Sequence, residues 1–269
     1  MKKLHVMALA CAAVLLVACG PRWRDVDAIK KKGELVLYTD ATWPPYEYIG
    51  ESGKVIGADI DIGYAIADDL GVKLRIINAS FDGFSLALQH GQADIAIAAI
   101  TITPEREEAL DFSTPYSNTV QYIVKPASDI GVQNLSDLDG HRIGVQLGTT
   151  GDILVSSLVK EGMLKNAEIL QFKALQDAML GLMKGDPFAI VCDEALAKNL
   201  VAANPGAAYV PGKTGGEDEF YGVAIVKGNS TLLDAVNKTI DRLMKSGEIE
   251  KRIAFHRENS ALYADENGQ

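Results

Sequence analysis

One design appears twice in this sequence. Phe84-Ser-Leu-Ala-Leu-Gln-His-Gly-Gln-Ala-Asp-Ile-Ala96 and Ala178-Met-Leu-Gly-Leu-Met-Lys-Gly-Asp-Pro-Phe-Ala-Ile190 each read as a helix, a glycine stop and a buried strand. A helix that ends on glycine and feeds an apolar strand is half of an α/β unit. A chain that builds this unit twice is expected to form two mostly parallel sheets flanked by helices, one in each of two lobes; a single larger sheet is the alternative. The surrounding pattern agrees. Strands are predicted from Leu35 to Thr39, Lys73 to Ile77, Asp94 to Ala98, Val120 to Val124, Arg142 to Gln146, Glu168 to Gln171, Phe188 to Cys192 and Tyr221 to Val226. Helices are predicted near Asp59 to Leu70, Phe84 to His90, Thr149 to Lys160, Leu175 to Lys184, Glu194 to Ala202, Leu232 to Lys245 and Ile249 to Arg257.

In open α/β sheets a ligand sits beyond the carboxyl ends of the strands, so the residues there are the candidates. After the strand at 94 to 98 come Ala98 and Ala99, whose small side chains allow close main-chain approach, and then Thr101. Thr103 and Pro104 are strong helix-start signals and place Arg106 in a first turn. A cation is unfavourable at that end of a helix dipole, which suggests that an anion belongs beside it. A guanidinium fork suits a carboxylate. A surface arginine answering Glu105, Glu107 or Glu108 is the plainer reading.

Asp40-Ala-Thr-Trp-Pro-Pro-Tyr-Glu-Tyr48 follows the first strand, with two prolines fixing a turn that sets Asp40 and Trp43 on its inner side. Phe81 follows another strand end and can face Trp43 across a flat slot. An Asx turn for Asp40 and core packing for the two aromatics are the alternatives. In the second half Gly144-Val-Gln-Leu-Gly-Thr-Thr-Gly151 joins a strand to a helix whose free NH groups can take an anion. It lacks the lysine of a nucleotide loop, and no GxGxxG follows the first strand. Asp193 ends the strand Phe188 to Cys192, as an ammonium partner or as a cap for the helix that follows.

Several segments taken in order, Thr39-Asp-Ala-Thr-Trp-Pro-Pro-Tyr-Glu47, Gly57-Ala-Asp-Ile-Asp-Ile62, Ala99-Ile-Thr-Ile-Thr-Pro-Glu-Arg106, Asp111-Phe-Ser-Thr-Pro-Tyr116, Gly144-Val-Gln-Leu-Gly-Thr149 and the helical region Leu243 to Ile253, resemble the polar amino-acid subfamily of periplasmic solute-binding proteins. These are the extracellular receptors of ABC importers, and the resemblance runs from Glu34 to about Asn259. It implies the two-lobed periplasmic-binding-protein type II fold, with lobe 1 from residues 34–119 and 219–269 and lobe 2 from 120–218. It also implies a free amino acid as ligand and a membrane permease as partner. Arg106, Thr101 and the main chain near Ala99 would hold the ligand carboxylate, with NH groups around Thr149 and Thr150 closing over it. Asp193 would take the α-ammonium, Trp43 and Phe81 would sandwich the side chain, and Asp40 would meet its distal end. Ala98 and Ala99 stand where basic amino-acid binders tend to carry serines, and Gln146 where glutamine binders carry a lysine. The ranking is arginine or another basic amino acid first, glutamine second.

Residues 1–18 read as an export signal: two lysines, then an apolar run from Leu4 to Val17. That run is shorter than the roughly 20 residues of a membrane span. Leu16-Val17-Ala18-Cys19 resembles a lipobox, in which Cys19 becomes an acylated, palmitate-bearing N-terminus, with residues 19–33 as a tether to the membrane. Cys192 is then the one thiol left in the mature chain, and no disulfide is expected. Loss of Lys2 and Lys3 takes the net charge from -10 to -12, and there is no basic stripe, which argues against nucleic acid. A monomer on the outer side of a bacterial membrane is expected.

The same architecture supports a periplasmic cyclohexadienyl or arogenate dehydratase, which needs a placed general acid. His5 leaves with the signal, and His90, His141 and His256 fall outside the strand ends. Neither a Ser-His-Asp order nor HExxH or paired CxxC spacing is present, so no catalytic residue, cofactor or metal is expected. A sensory partner of a membrane receptor is the third class.

Overall fold

A computed structural model describes residues 23–211 and 218–266. The export signal and Cys19 lie outside the described residues. Two five-stranded sheets organise the chain. In the first, Lys73–Asn78, Glu34–Thr39 and Ile95–Ala96 run parallel in that order, followed by the antiparallel Ala224–Val226 and then Leu110–Phe112. In the second, Glu168–Phe172, Arg142–Gln146 and Ala189–Asp193 are parallel, followed by the antiparallel Gln121–Pro126 and then Ala207–Pro211. The two orders match strand for strand, as expected for one unit built twice.

The apolar runs of the central strands follow from burial on both faces. Leu35 and Leu37 join one core cluster while Val36 and Tyr38, on the opposite face, join another. Ile190 and Cys192 divide from Ala189 and Val191 in the same way. Helix Ala58–Leu70 covers the first sheet and ends at Gly71, whose positive φ of 73° lets its NH reach back to the last turn. Helix Ser230–Lys245 packs beside it, burying Leu232, Val236, Ile240 and Leu243. These residues recur at three- and four-residue spacing on one face.

Two connections cross between the sheets, and they pair with each other: Ser117–Thr119 runs antiparallel to Glu219–Tyr221. The single strand expected from Tyr221 to Val226 is therefore two, broken at Gly222 and Val223 where the chain leaves the crossing pair and enters the sheet. The expected strand Asp94 to Ala98 is shorter, Ile95–Ala96, and beyond it Ala99 adopts a φ of 45°, which is unusual for a residue with a Cβ.

Part of the stretch expected as a tether, residues 19–33, is folded onto the first sheet. Val26–Lys32 is a helix capped by Asp25, with Ile29 fully buried. Just before it, Arg24 Nε donates to Asp94 Oδ1 at 2.9 Å, and Asp94 Oδ2 accepts from the Val36 NH at 2.7 Å. Residues from Arg24 onward are thus anchored to the first sheet.

Candidate functional site

Between the two sheets, at the carboxyl ends of their strands, lies a narrow, nearly closed cavity. Asp40, Trp43, Phe81, Ala99, Thr101, Arg106, Gln146, Thr149, Thr150 and Asp193, the residues singled out from sequence, all line it. Thr42, Glu47 and Ala98 complete the wall. Three polar groups divide this surface.

The first is built on Arg106. Thr103 accepts from the Arg106 NH at 3.3 Å and Pro104 opens the helix Pro104–Glu107, so the expected cap is present. The arginine does not answer its glutamate neighbours. Its Nη1 donates to the Thr101 carbonyl at 2.6 Å, and its Nη2 crosses the cleft to the Gly148 carbonyl at 3.0 Å. The guanidinium lies 5.4 Å from the centre of the Phe81 ring and 5.7 Å from that of Phe84, within cation–π range. Burial lowers its pKa to about 10, against the opposing charges of Asp193 and Glu219. A desolvated arginine still rich in N–H donors is suited to an anionic ligand group.

The second group surrounds Asp193. It stands at the N-cap position of helix Glu194–Ala202, yet its side chain makes no capping bond. Instead Gln121 Nε2 donates to Oδ1 at 2.7 Å and the Tyr221 hydroxyl donates to Oδ2. Burial raises its pKa to about 7, Glu219 adds to the rise, and the bonds from Tyr221 and Gln121 oppose it. A carboxylate held this way gains from a cation, which restores its ionised form. Glu219 stands close by, taking 2.9 Å bonds from Gln121 Nε2 and from the Thr101 hydroxyl and a 2.6 Å bond from the Thr150 hydroxyl.

The third group is Asp40 with Gln146. Asp40 Oδ2 accepts from the Phe81 NH at 2.9 Å and, across the cleft, from Gln146 Nε2 at 3.0 Å. Burial raises the Asp40 pKa. Gln146 Oε1 and Trp43 Nε1 are buried without a hydrogen-bond partner among the described residues. An acceptor and a donor are thereby left facing one cavity.

Beneath these groups lies a carboxyl pair that sequence reasoning passed over. Asp59 Oδ2 accepts from the Ala99 NH at 2.7 Å and from the Tyr116 hydroxyl at 2.9 Å, which holds Ala99 in its unusual conformation. Burial raises Asp59 to about 6. Glu47, also buried, is raised well above the usual carboxylate range by burial and by Asp59 beside it. Glu47 and Asp59 fall inside quoted motifs, Trp-Pro-Pro-Tyr-Glu and Gly-Ala-Asp-Ile-Asp-Ile, but neither follows a parallel strand. Gln121 and Glu219 lie on or beside the crossing strands, where the strand-end rule has no reach.

Thr149 has a structural duty: its hydroxyl donates to the Gln146 carbonyl at 2.8 Å and accepts from the Asp152 NH, capping helix Thr150–Lys160. Gly151, in that helix's first turn, packs so closely that a Cβ there would stand 3.0 Å from the Val191 carbonyl oxygen. This closeness brings the helix start onto the cavity. Among the described residues no cluster of His, Cys, Asp or Glu is arranged to hold a metal ion, and no helix is long and apolar enough to cross a membrane.

Residues 35–254 match the bacterial extracellular solute-binding proteins, family 3. The chain belongs to that family. As a family 3 protein it is 32% identical over 276 residues to a probable histidine-binding protein of Neisseria gonorrhoeae, covering 100% of this chain and 98% of that one. It is 30% identical to the L-cystine-binding protein TcyJ of Escherichia coli strain K12, across 91% of this chain and 90% of TcyJ. Among solved structures it is similar to the amino acid ABC transporter substrate-binding protein AbpA of Streptococcus pneumoniae Canada MDR_19A bound to L-arginine. The TM-score is 0.82 at 33% identity, covering 87% of this chain and 99% of that one. Two lobes around a cleft are the architecture this family 3 chain shares with that structure.

Proposed function

We propose that this family 3 protein captures a basic amino acid, arginine first, outside the cytoplasm and delivers it to an ABC importer by closing its lobes. The observation that carries the reading is the opposition of charges in one buried cavity. Arg106 is set for a carboxylate, Asp193 for an ammonium, and Asp40 with the unpartnered Gln146 Oε1 for a distal donor group. Trp43 and Phe81 in the same wall suit a guanidinium plane and its methylene stem. The arginine-bound structure of AbpA supports that ligand class. Lobe 1 takes residues 34–119 and 219–269, and lobe 2 takes 120–218. Neither lobe alone presents Arg106 and Asp193 together, so a ligand that touches both shifts the population toward closure.

The protein acts without chemistry, as a monomer carrying one amino acid to a separate permease. Residues 1–18 are removed on export, and Cys19 carries the lipid that holds the protein at the membrane. Since one acyl chain anchors weakly, more than one is attached. A thermal-shift screen over the common amino acids tests the ligand. At 100 times its Kd a ligand adds about 2.7 kcal/mol, which raises Tm by roughly 5 to 10 °C in a chain of this size. Arginine is expected to give the largest shift, and a screen led by glutamate or aspartate overturns the assignment. Labelled palmitate should enter the wild type and be absent from Cys19→Ala.

A further inference from the structure

The hydroxyls of Thr101 and Thr150 come from different lobes and both line the cavity, yet each gives its proton to one atom, Glu219 Oε2, at 2.9 and 2.6 Å. Glu219 itself stands behind the two threonines on the crossing strand Glu219–Tyr221. A hydroxyl has one proton and two lone pairs. With the proton directed at Glu219, each oxygen can offer the cavity only a lone pair. The remaining bonds reinforce this polarity, since Gln121 Nε2 ties Glu219 Oε1 to Asp193 Oδ1 and also lies 3.2 Å from the Thr150 hydroxyl oxygen. Thr101 and Thr150 therefore face the ligand as acceptors, on the same side as Asp193. Arg106 is turned the other way, as donor.

The geometry points to Glu219 as a positioning residue for specificity: it locks one hydroxyl from each lobe as an acceptor, so that Thr101, Thr150 and Asp193 together read the ligand's α-ammonium. This deepens the amino-acid reading above and rests on it. It also revises the duty expected for Thr101. The ligand carboxylate is left to Arg106 and main-chain NH groups, because a hydroxyl oxygen showing only lone pairs repels an anion.

The test compares L-arginine with δ-guanidinovaleric acid, which lacks only the ammonium, by calorimetric titration of the wild type, Glu219→Ala and the milder Glu219→Gln. Circular dichroism confirms the fold of each. Glu219→Ala is expected to weaken arginine by about tenfold or more, the scale of one charge-assisted hydrogen bond. δ-Guanidinovaleric acid should change by less than about threefold, the limit set for loss of general cleft integrity. Glu219→Gln should fall between. In a Thr101→Val/Thr150→Val background, adding Glu219→Ala should leave the ratio of the two affinities unmoved, because Glu219 acts through the hydroxyls. Equal weakening of both ligands, tighter arginine binding, no change, or a full effect persisting in the valine background overturns the inference. If arginine does not bind the wild type, the amino acid returned by the screen and its deamino analogue take its place. The ligand's identity can then fail while Glu219 is still judged. A wild type that binds no free amino acid overturns both readings.

Discussion

Asp193 should make ligand affinity depend on pH with a sign opposite to that of stability. Its pKa in the ligand-free protein is about 7, raised first by burial and then by Glu219. Below that value the carboxyl keeps its proton, and an ammonium must expel it to bind. If only the ionised form accepts the ligand, Kd grows by up to tenfold per pH unit below about 7. Between pH 8 and pH 6 the loss is roughly tenfold, and at pH 6 about 0.9 proton leaves per ligand bound. Stability of the empty protein runs the other way. A carboxyl whose pKa is raised on folding binds more protons in the native state, so its contribution is fully present below about pH 4 and is lost as pH rises through about 7. Asp59, raised to about 6, adds the same sign. Calorimetry at pH 6, 7 and 8 in buffers of different ionisation enthalpy measures both affinity and proton release, with Asp193→Asn as the control. The variant should bind more weakly and lose most of the slope, leaving only what Asp40 contributes. A flat wild-type profile, or a full slope retained in Asp193→Asn, refutes the reasoning.

Two further outcomes follow from the bonding. Arg106→Ala removes the donor set for a partly buried ligand carboxylate, a truncation that costs about 2 to 5 kcal/mol, so binding should weaken from roughly 30-fold to several-thousand-fold. A folded variant titrating within about threefold of the wild type would remove Arg106 from the site. Arg24→Ala leaves Asp94, with 3% of its side chain exposed, without its cation. Breaking a buried pair costs about 3 to 5 kcal/mol, and since Arg24 keeps 21% exposure about 2 to 3 kcal/mol is expected here. A Tm unchanged by this substitution would mean that the Arg24–Asp94 pair does not hold the segment before Glu34 to the fold.

What the sequence disclosed and what it hid divide along physical lines. The strand-end rule pointed to Asp40, Phe81 and Asp193 because parallel strands leave their last residues at one edge, helix-start chemistry pointed to Arg106, and the family resemblance pointed to Gln146; all five line one cavity. Each of these signals is local. Glu219 carries no local signal: it sits in Glu217-Asp-Glu-Phe220, which reads as a solvated acidic run. Only the pairing of Glu219–Tyr221 with Ser117–Thr119 brings it to Thr101 and Thr150. The Glu47–Asp59 pair was hidden for a related reason, since two buried carboxyls set side by side are invisible in sequence until tertiary packing brings them together. The helix Val26–Lys32 was missed because its lysines read as a charged leader. A single buried residue, Ile29, and the distant partner Asp94 decide its place.

The central claim is that one amino acid spans three polar groups contributed by both lobes, and a crystal structure of the protein grown with L-arginine tests it most directly. The expected complex has the α-carboxylate on Arg106, the α-ammonium among Asp193, Thr101 and Thr150, and the guanidinium between Trp43 and Phe81 with its N–H groups on Asp40 and Gln146. Arginine bound outside this cavity, or bound inside it with the carboxylate at Asp40 and the guanidinium at Arg106, would contradict the account.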